Sequence, residues 1–508
     1  MRTNSAGRTA SALLLAAACA VVLVAGTLSE AADNPVAWTV SNVLARIPPL
    51  RHDATGRWPL ITWEPFLSAT NDRSFQRGEP LPPDVYRELL KRGLTQAIRM
   101  NEKYIPTASA LQQAGSPVIV MEGNGGDGPY ADTPEARHYL PTDYVIPKGE
   151  HLYPCPMQTA GWGKAADRVR ATMQKFKTAG VTVDAVWLDW EVEPLWWTTE
   201  RWRQAQNCSR CESTLPPGVL RTSSRYTDFI MLYRQKLLSD YLAAPILDVF
   251  PKASVSNWDS LPSTAERPAY NWWGNTFPPM DIGRFTASMP AVYGSNAIFT
   301  DYWYGFLGAP FRHWRHLRSI GEDEAYTDRV YTHVMLGSFS ACAFNTIAQA
   351  PGKQIIPWVS RVVDDSHRKD TPVLTRERYR EILRHVWLRG ADAMQVFNPR
   401  NPDHPVFMLL EVEDAVAVYD EMLAYRPFLT RGVVMNTEPP SFQDTGALWS
   451  GLRCESNALV RAFTQGSDTV RFSLRPWADG PKLALDATPA GTTYLLERAA
   501  GTIRAMSQ

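Results

Sequence analysis

Residues 183–194, Val-Asp-Ala-Val-Trp-Leu-Asp-Trp-Glu-Val-Glu-Pro, constrain the fold more than any other stretch. The apolar run is short, and it ends in acidic residues at the alternating positions Asp189, Glu191 and Glu193. That is the pattern of a buried strand delivering carboxylates to a cleft. Upstream, residues 164–179 set Val169, Met173 and Phe176 on one helical face, and Gly180 supplies the left-handed residue that commonly ends a helix. Successive side chains of a strand point to opposite faces, so Ala185, Trp187, Asp189, Glu191 and Glu193 share one side. Asp189 and Glu191 are then same-face neighbours with Cα atoms roughly 6–7 Å apart.

Two carboxylates that close, walled by Trp187, Trp190, Trp196 and Trp197, should not titrate alike. Repulsion and desolvation raise one pKa, leaving a proton donor beside a charged partner that steadies a cation. Glycoside hydrolysis divides the labour in that way. The plainer reading is a strand end whose acids pair with arginines such as Arg201 and Arg203. The aromatic flanks and the strand context favour catalysis.

Asp184, Asp189, Trp190 and Glu191 fall in the frame of the D-x-x-D-x-D-W-E strand of family 18 chitinases, with Trp187 in place of the middle aspartate. Residues 185–191 resemble still more the Ala-Val-Ile-Asp-Trp-Glu strand of hyaluronidases, which also lack that middle acid. The resemblance implies that Glu191 is the general acid and base. It also implies that Asp189 orients the substrate's own N-acetyl group, which acts as the nucleophile.

Other segments alternate in the same way. Strands are expected at 58–64, 116–122, 252–259, 287–293, 354–360 and 392–398, and helices at 84–100, 224–247, 325–338 and 375–389. With the strand at 183–194, this series implies a parallel β/α barrel of the TIM type, over residues 33–430, with its active site at the C-terminal ends of the strands. Glu64, Glu122, Asp259 and Asn398 fall at expected strand ends, and Asn257 lies beside them. With Trp190 and Glu193 they are candidate substrate-binding residues, and Tyr293, Trp303 and Trp358 are candidate sugar-stacking rings. After a helix at 406–425, residues 431–508 break into short alternating runs separated by Gly, Asp and Pro, which reads as a small antiparallel, sandwich-like β-domain.

Arg2 and Arg8 precede the apolar run 12–26, and small residues follow at Ser29, Ala31 and Ala32, so 1–32 is expected to be a secretory signal peptide. The remaining chain is expected to be secreted or periplasmic, with no stable membrane insertion. The 52 basic and 52 acidic residues of the full chain balance, so no electrostatic argument favours nucleic acid. Eighteen tryptophans and nineteen tyrosines suit a carbohydrate partner, because flat apolar rings match the C–H faces of pyranoses.

Five cysteines lie beyond the leader: Cys155, Cys208, Cys211, Cys342 and Cys454. An exported chain favours a disulfide involving the Cys208-Ser-Arg-Cys211 pair, with Cys155 as a third thiol. A zinc site needs two further ligands, and no second C-x-x-C supplies them, so no metal or organic cofactor is expected. The sequence therefore points to a glycoside hydrolase acting on a polysaccharide, and the resemblance implies one that contains N-acetylhexosamine. A barrel glycosidase for a non-acetylated glycan, pairing Glu191 with Asp259, Glu64 or Glu122, and a non-catalytic glycan-binding barrel remain open.

Overall fold

A computed structural model describes residues 40–62, 80–124, 129–130, 136–190, 199–259, 283–293, 324–349, 352–361, 374–397, 405–440 and 446–506. Its strands are β1 (Leu60–Thr62), β2 (Leu94–Arg99), β3 (Ile119–Asn124), β4 (Ala185–Trp190), β5 (Ser254–Asp259), β6 (Ala287–Tyr293), β7 (Gln354–Ile355), β8 (Trp358–Ser360) and β9 (Gln395–Val396). All of them pair in parallel, in the order β5-β4-β3-β2-β1-β9-β8-β6-β7, and a further β5–β6 pairing closes the ring. β7 and β8 are two halves of one strand. Ser288 faces Ile355 and Ala291 faces Trp358 in unbroken register, and Pro357 interrupts the ladder because it has no N–H to donate. The nine segments therefore build the eight walls of a closed β/α barrel, as the alternation implies.

Side-chain parity sorts the walls into two layers. Ile61, Ala97, Ile119, Met121, Ala185, Trp187, Ala287, Met289, Ile356, Trp358 and Ala393 pack together and fill the barrel. The opposite faces, with Val120, Val186, Leu188, Val255, Val292 and Val359, pack outward under the helices. Helix Ala160–Thr178 buries Val169, Met173 and Phe176 there, and Gly180 follows at φ 79°.

The sequence reading misplaces one segment. The helix expected over 84–100 stops at Lys91, Gly93 turns the chain at φ 71°, and Leu94–Arg99 is the strand β2. Leu-Thr-Gln-Ala-Ile-Arg has no strand-like composition, and pairing with β1 and β3 overrides its propensity. The acidic strand is therefore the fourth wall. Helix Ile105–Gln113 between β2 and β3 also goes unrecognised in the sequence.

Beyond the barrel, strands β10 (Val433–Val434), β11 (Ala447–Arg453), β12 (Asn457–Thr464), β15 (Thr492–Glu497) and β16 (Thr502–Met506) form an antiparallel sheet. Strands β13 (Val470–Leu474) and β14 (Leu483–Ala487) form a second, and Ala458, Val460, Leu474, Trp477, Leu485 and Leu496 share one core. A buried polar network ties the small domain to helix Arg376–Leu388. Arg461 donates to both carboxylate oxygens of Glu381 at 2.8 and 2.7 Å, and His385 lies 3.2 Å from the same carboxylate through Nε2. Ser450 Oγ sits 2.7 Å from His385 Nδ1 and accepts from Arg389 Nε at 2.7 Å.

This burial sets a pH response. Desolvation pulls His385 from 6.5 down to about 4, and it pushes Glu411 from 4.5 up to about 8 where Arg361 N donates to it at 2.6 Å. His385 has a folded pKa below its unfolded one, so its stabilising contribution is complete above pH 6.5 and fades as pH falls toward 4. Glu411 has a raised folded pKa, so its contribution is complete below pH 4.5 and fades as pH rises toward 8. Each amounts to roughly 3–5 kcal/mol at full extent. The two slopes offset each other between about pH 4.5 and 6.5, so the melting temperature should be nearly level there and fall on either side, and Glu411→Gln should flatten the alkaline limb. A melting temperature still rising from pH 6.5 to 8 would contradict the Glu411 assignment.

The expected disulfide does not form among the described cysteines. All five are free, and Cys155 Sγ stands 3.6 Å from Cys211 Sγ, beyond bonding distance. No helix of the described residues is long and apolar enough to cross a membrane.

Candidate active site

On β4, Ala185, Trp187 and Asp189 face into the barrel, while Val186, Leu188 and Trp190 face the helices. Trp187 packs on Trp358 with ring centroids 3.6 Å apart, and the two buried indoles plug the barrel beneath its C-terminal mouth. Asp189 is the next inward position above that plug and is partly exposed. Its register partner on β3 is Gly123. A Cβ on Gly123 would stand 3.3 Å from the Asp189 carbonyl oxygen and 3.5 Å from its Oδ2, so the glycine leaves room for the carboxylate. Arg99 ends β2 on the inward row and is exposed, and Tyr293 at the end of β6 stacks on Phe397 at 4.7 Å. The Asp189 carboxylate and the stacked rings of Tyr293 and Phe397 lie at the C-terminal ends of their strands.

The end of β4 is held from both sides. Trp190 N donates to Asn257 Oδ1 at 3.0 Å, and the buried Arg234 donates through Nη2 to Trp190 O at 2.7 Å. The Trp190 ring lies 5.9 Å from that of Trp162 on helix Ala160–Thr178. The backbone of Trp190 is therefore fixed by packing and two hydrogen bonds, the support a precise site needs. Asn257→Ala leaves the Trp190 N–H buried without its acceptor and should lose about 1–3 kcal/mol of stability. Denaturant titration of the variant checks this, and an unchanged stability would contradict the role given to Oδ1.

Several expected site residues lie elsewhere. Trp190 and Asn257 are wholly buried on the helix side of the wall, and they position β4 rather than line the cleft. Trp358 is wholly buried within the barrel, so it belongs to the plug and not to a sugar-stacking surface. Glu122 faces outward and lies 3.5 Å from Arg168 Nη2, beside a flank cavity of about 290 Å³ that Met100, Asn101 and Thr172 also border. Burial there raises its pKa. Parity explains all three outward positions, since neighbouring residues of a strand end point to opposite faces. Asp184 marks the other end of β4, accepting from Val118 N at 2.8 Å.

Asp259 ends β5 opposite Pro290, and its side chain is outside the described set. Glu64, Glu191, Glu193, Trp303 and Asn398 lie outside the described residues. Of the arginines named as plain partners for the acids, Arg203 pairs with Glu150 and Arg201 lies over the Tyr153 ring at 4.4 Å. Sequence reasoning overlooked Arg99 and Arg234, and it reads Gly123 only as the start of a glycine-rich turn bordering the cleft. Gly123 had a signal, because it occupies an inward position at the end of a strand where any side chain would crowd the cleft.

No protein-family model matches the chain, and no curated protein is similar to it in sequence. Among solved structures, a GH30 endoxylanase from Clostridium papyrosolvens C71 is similar with 10% identity and a TM-score of 0.38, over 88% of this chain and 96% of that one. An isomaltulose synthase from Klebsiella sp. LX3 has 10% identity and a TM-score of 0.42, over 89% and 100%. An α-amylase from Geobacillus thermoleovorans has 9% identity and a TM-score of 0.37, over 89% and 99%. Overlap of this extent is no guide to chemistry, so the functional reading rests on the site's own residues.

Proposed function

We propose that this chain is a secreted glycoside hydrolase acting on a polysaccharide that contains N-acetylhexosamine, by retaining, substrate-assisted catalysis. The observation that carries the reading is Asp189, an inward carboxylate at the C-terminal end of a closed parallel barrel, where enzymes of this architecture hold their active sites. Glu191 is the next residue of the same alternation. In the proposed cycle Glu191 protonates the glycosidic oxygen while Asp189 holds the acetamido group, whose carbonyl oxygen attacks the anomeric carbon. Glu191 then takes a proton from the water that opens the cyclic intermediate. The half-buried, mutually stacked rings of Tyr293 and Phe397 support a sugar-stacking role in this reading.

The test is hydrolysis of a panel of polysaccharides, with and without N-acetylhexosamine, by the purified protein. Turnover confined to N-acetylated substrates supports the proposal. Turnover of other glycans keeps a glycosidase but removes the acetamido role of Asp189, and binding without turnover of any member leaves only a glycan-binding barrel.

A further inference from the structure

We propose that His138, Cys155, Cys208 and Cys211 together bind one zinc ion, which staples the loop after β3 to the loop after β4. One ligand atom from each of the four residues falls within a cluster 4.8 Å across. All four are buried, the most exposed being His138 at 5%. Cys155 Sγ is 3.6 Å from Cys211 Sγ, and Cys211 Sγ is 3.6 Å from His138 Nδ1. Zinc bonds of about 2.3 Å to sulfur and about 2.0–2.1 Å to nitrogen, at tetrahedral angles, require S···S near ~3.8 Å and S···N near ~3.6 Å. The observed spacings fit that tetrahedron, whereas a disulfide requires about 2.05 Å and employs only two of the three sulfurs.

The surroundings are those of a built site. Cys208 precedes the first residue of helix Ser209–Thr214 and Cys211 lies in its first turn, the C-x-x-C arrangement common to structural zinc sites. Tyr139 N donates to Cys208 Sγ at 3.2 Å, the kind of backbone contact that steadies a metal-bound thiolate. Ser209 N donates to Tyr139 O at 3.1 Å and Cys155 N to Ala136 O at 2.7 Å, so backbone bonds already hold the three chain segments together. Arg210 lays its guanidinium over the Tyr139 ring at 3.8 Å, keeping a cation beside a cluster that carries net negative charge with zinc bound. Three sulfurs and one imidazole select zinc over hard cations, and four protein ligands leave no open position, so the role is structural. The two missing ligands of the Cys208–Cys211 pair come from His138 and Cys155, remote in sequence and adjacent in space.

The test is metal analysis of the full chain, purified without chelator, together with thiol titration of the chain denatured in chelator without reductant. About one zinc per chain, with Cys155, Cys208 and Cys211 all titrating as thiols, is expected. Cys155→Ser and Cys208→Ser should each lose most of the zinc, and a Cys342→Ser, Cys454→Ser double variant should keep it. Protein grown in cobalt should show thiolate-to-cobalt charge transfer and tetrahedral d–d absorption, a readout that requires no variant to fold. A metal-free chain with a disulfide among the three cysteines overturns the proposal, as does zinc that survives in the Cys155→Ser chain.

Discussion

Arg461→Ala is expected to destabilise the protein by about 3–5 kcal/mol, because it strands the buried Glu381 carboxylate. Burial alone would push the Glu381 pKa up, and Arg461 and His385 together hold it well below the usual carboxylate range. With Arg461 gone, Arg384 at 3.1 Å and His385 at 3.2 Å are the remaining partners, and Arg384 is already committed to Glu421 at 2.8 Å. Gly491 confirms how closely this corner is packed: a Cβ there would stand 2.7 Å from Glu381 Oε1, at a backbone φ of 74°. Replacing both partners, as in Glu381→Leu with Arg461→Met, should lose far less, since an apolar pair incurs no desolvation of charge. Thermal melts of the two variants decide the matter, and equal destabilisation would contradict the account of a desolvated, paired charge.

Asp189→Asn is expected to lower turnover by about 10²–10³-fold with little change in melting temperature. The side chain is partly exposed at the barrel mouth, and the strand beneath it is fixed by Trp187, Asn257 and Arg234. An amide fits the same space over Gly123 but carries no charge to orient and polarise an acetamido group. The loss should appear in kcat more than in KM, because the interaction strengthens as charge develops. A variant of unchanged activity would remove Asp189 from the chemistry, and one that fails to fold would make its role structural.

The barrel was legible wherever apolar runs were long or bounded by strong punctuation. β4 follows an amphipathic helix and Gly180, and Thr375 caps its helix by accepting from Arg378 N at 3.2 Å. β2 was not legible, since Leu-Thr-Gln-Ala-Ile-Arg acquires its strand conformation from two neighbours rather than from its own residues. The candidate site was half legible. Asp189 follows from alternation within one strand, but nearness to an expected strand end, the ground for placing Glu122 and Asn257 in the cleft, does not fix which face a side chain takes. Their facing depends on which neighbours fill the barrel, and Ile119 and Met121 on β3 fix that choice against Glu122. The cluster of His138 with three cysteines was illegible for another reason. Its members come from two loops, and only folding the strands between them brings the ligands together.

In the proposed glycosidase, Glu191 is the proton donor. The most direct measurement is hydrolysis of N-acetylated polysaccharide by the wild-type chain and by Glu191→Gln, with the fold of both checked by thermal melting. Loss of turnover by about 10²–10⁴-fold at an unchanged melting temperature is the predicted result. Undiminished hydrolysis by the folded Glu191→Gln chain would contradict it.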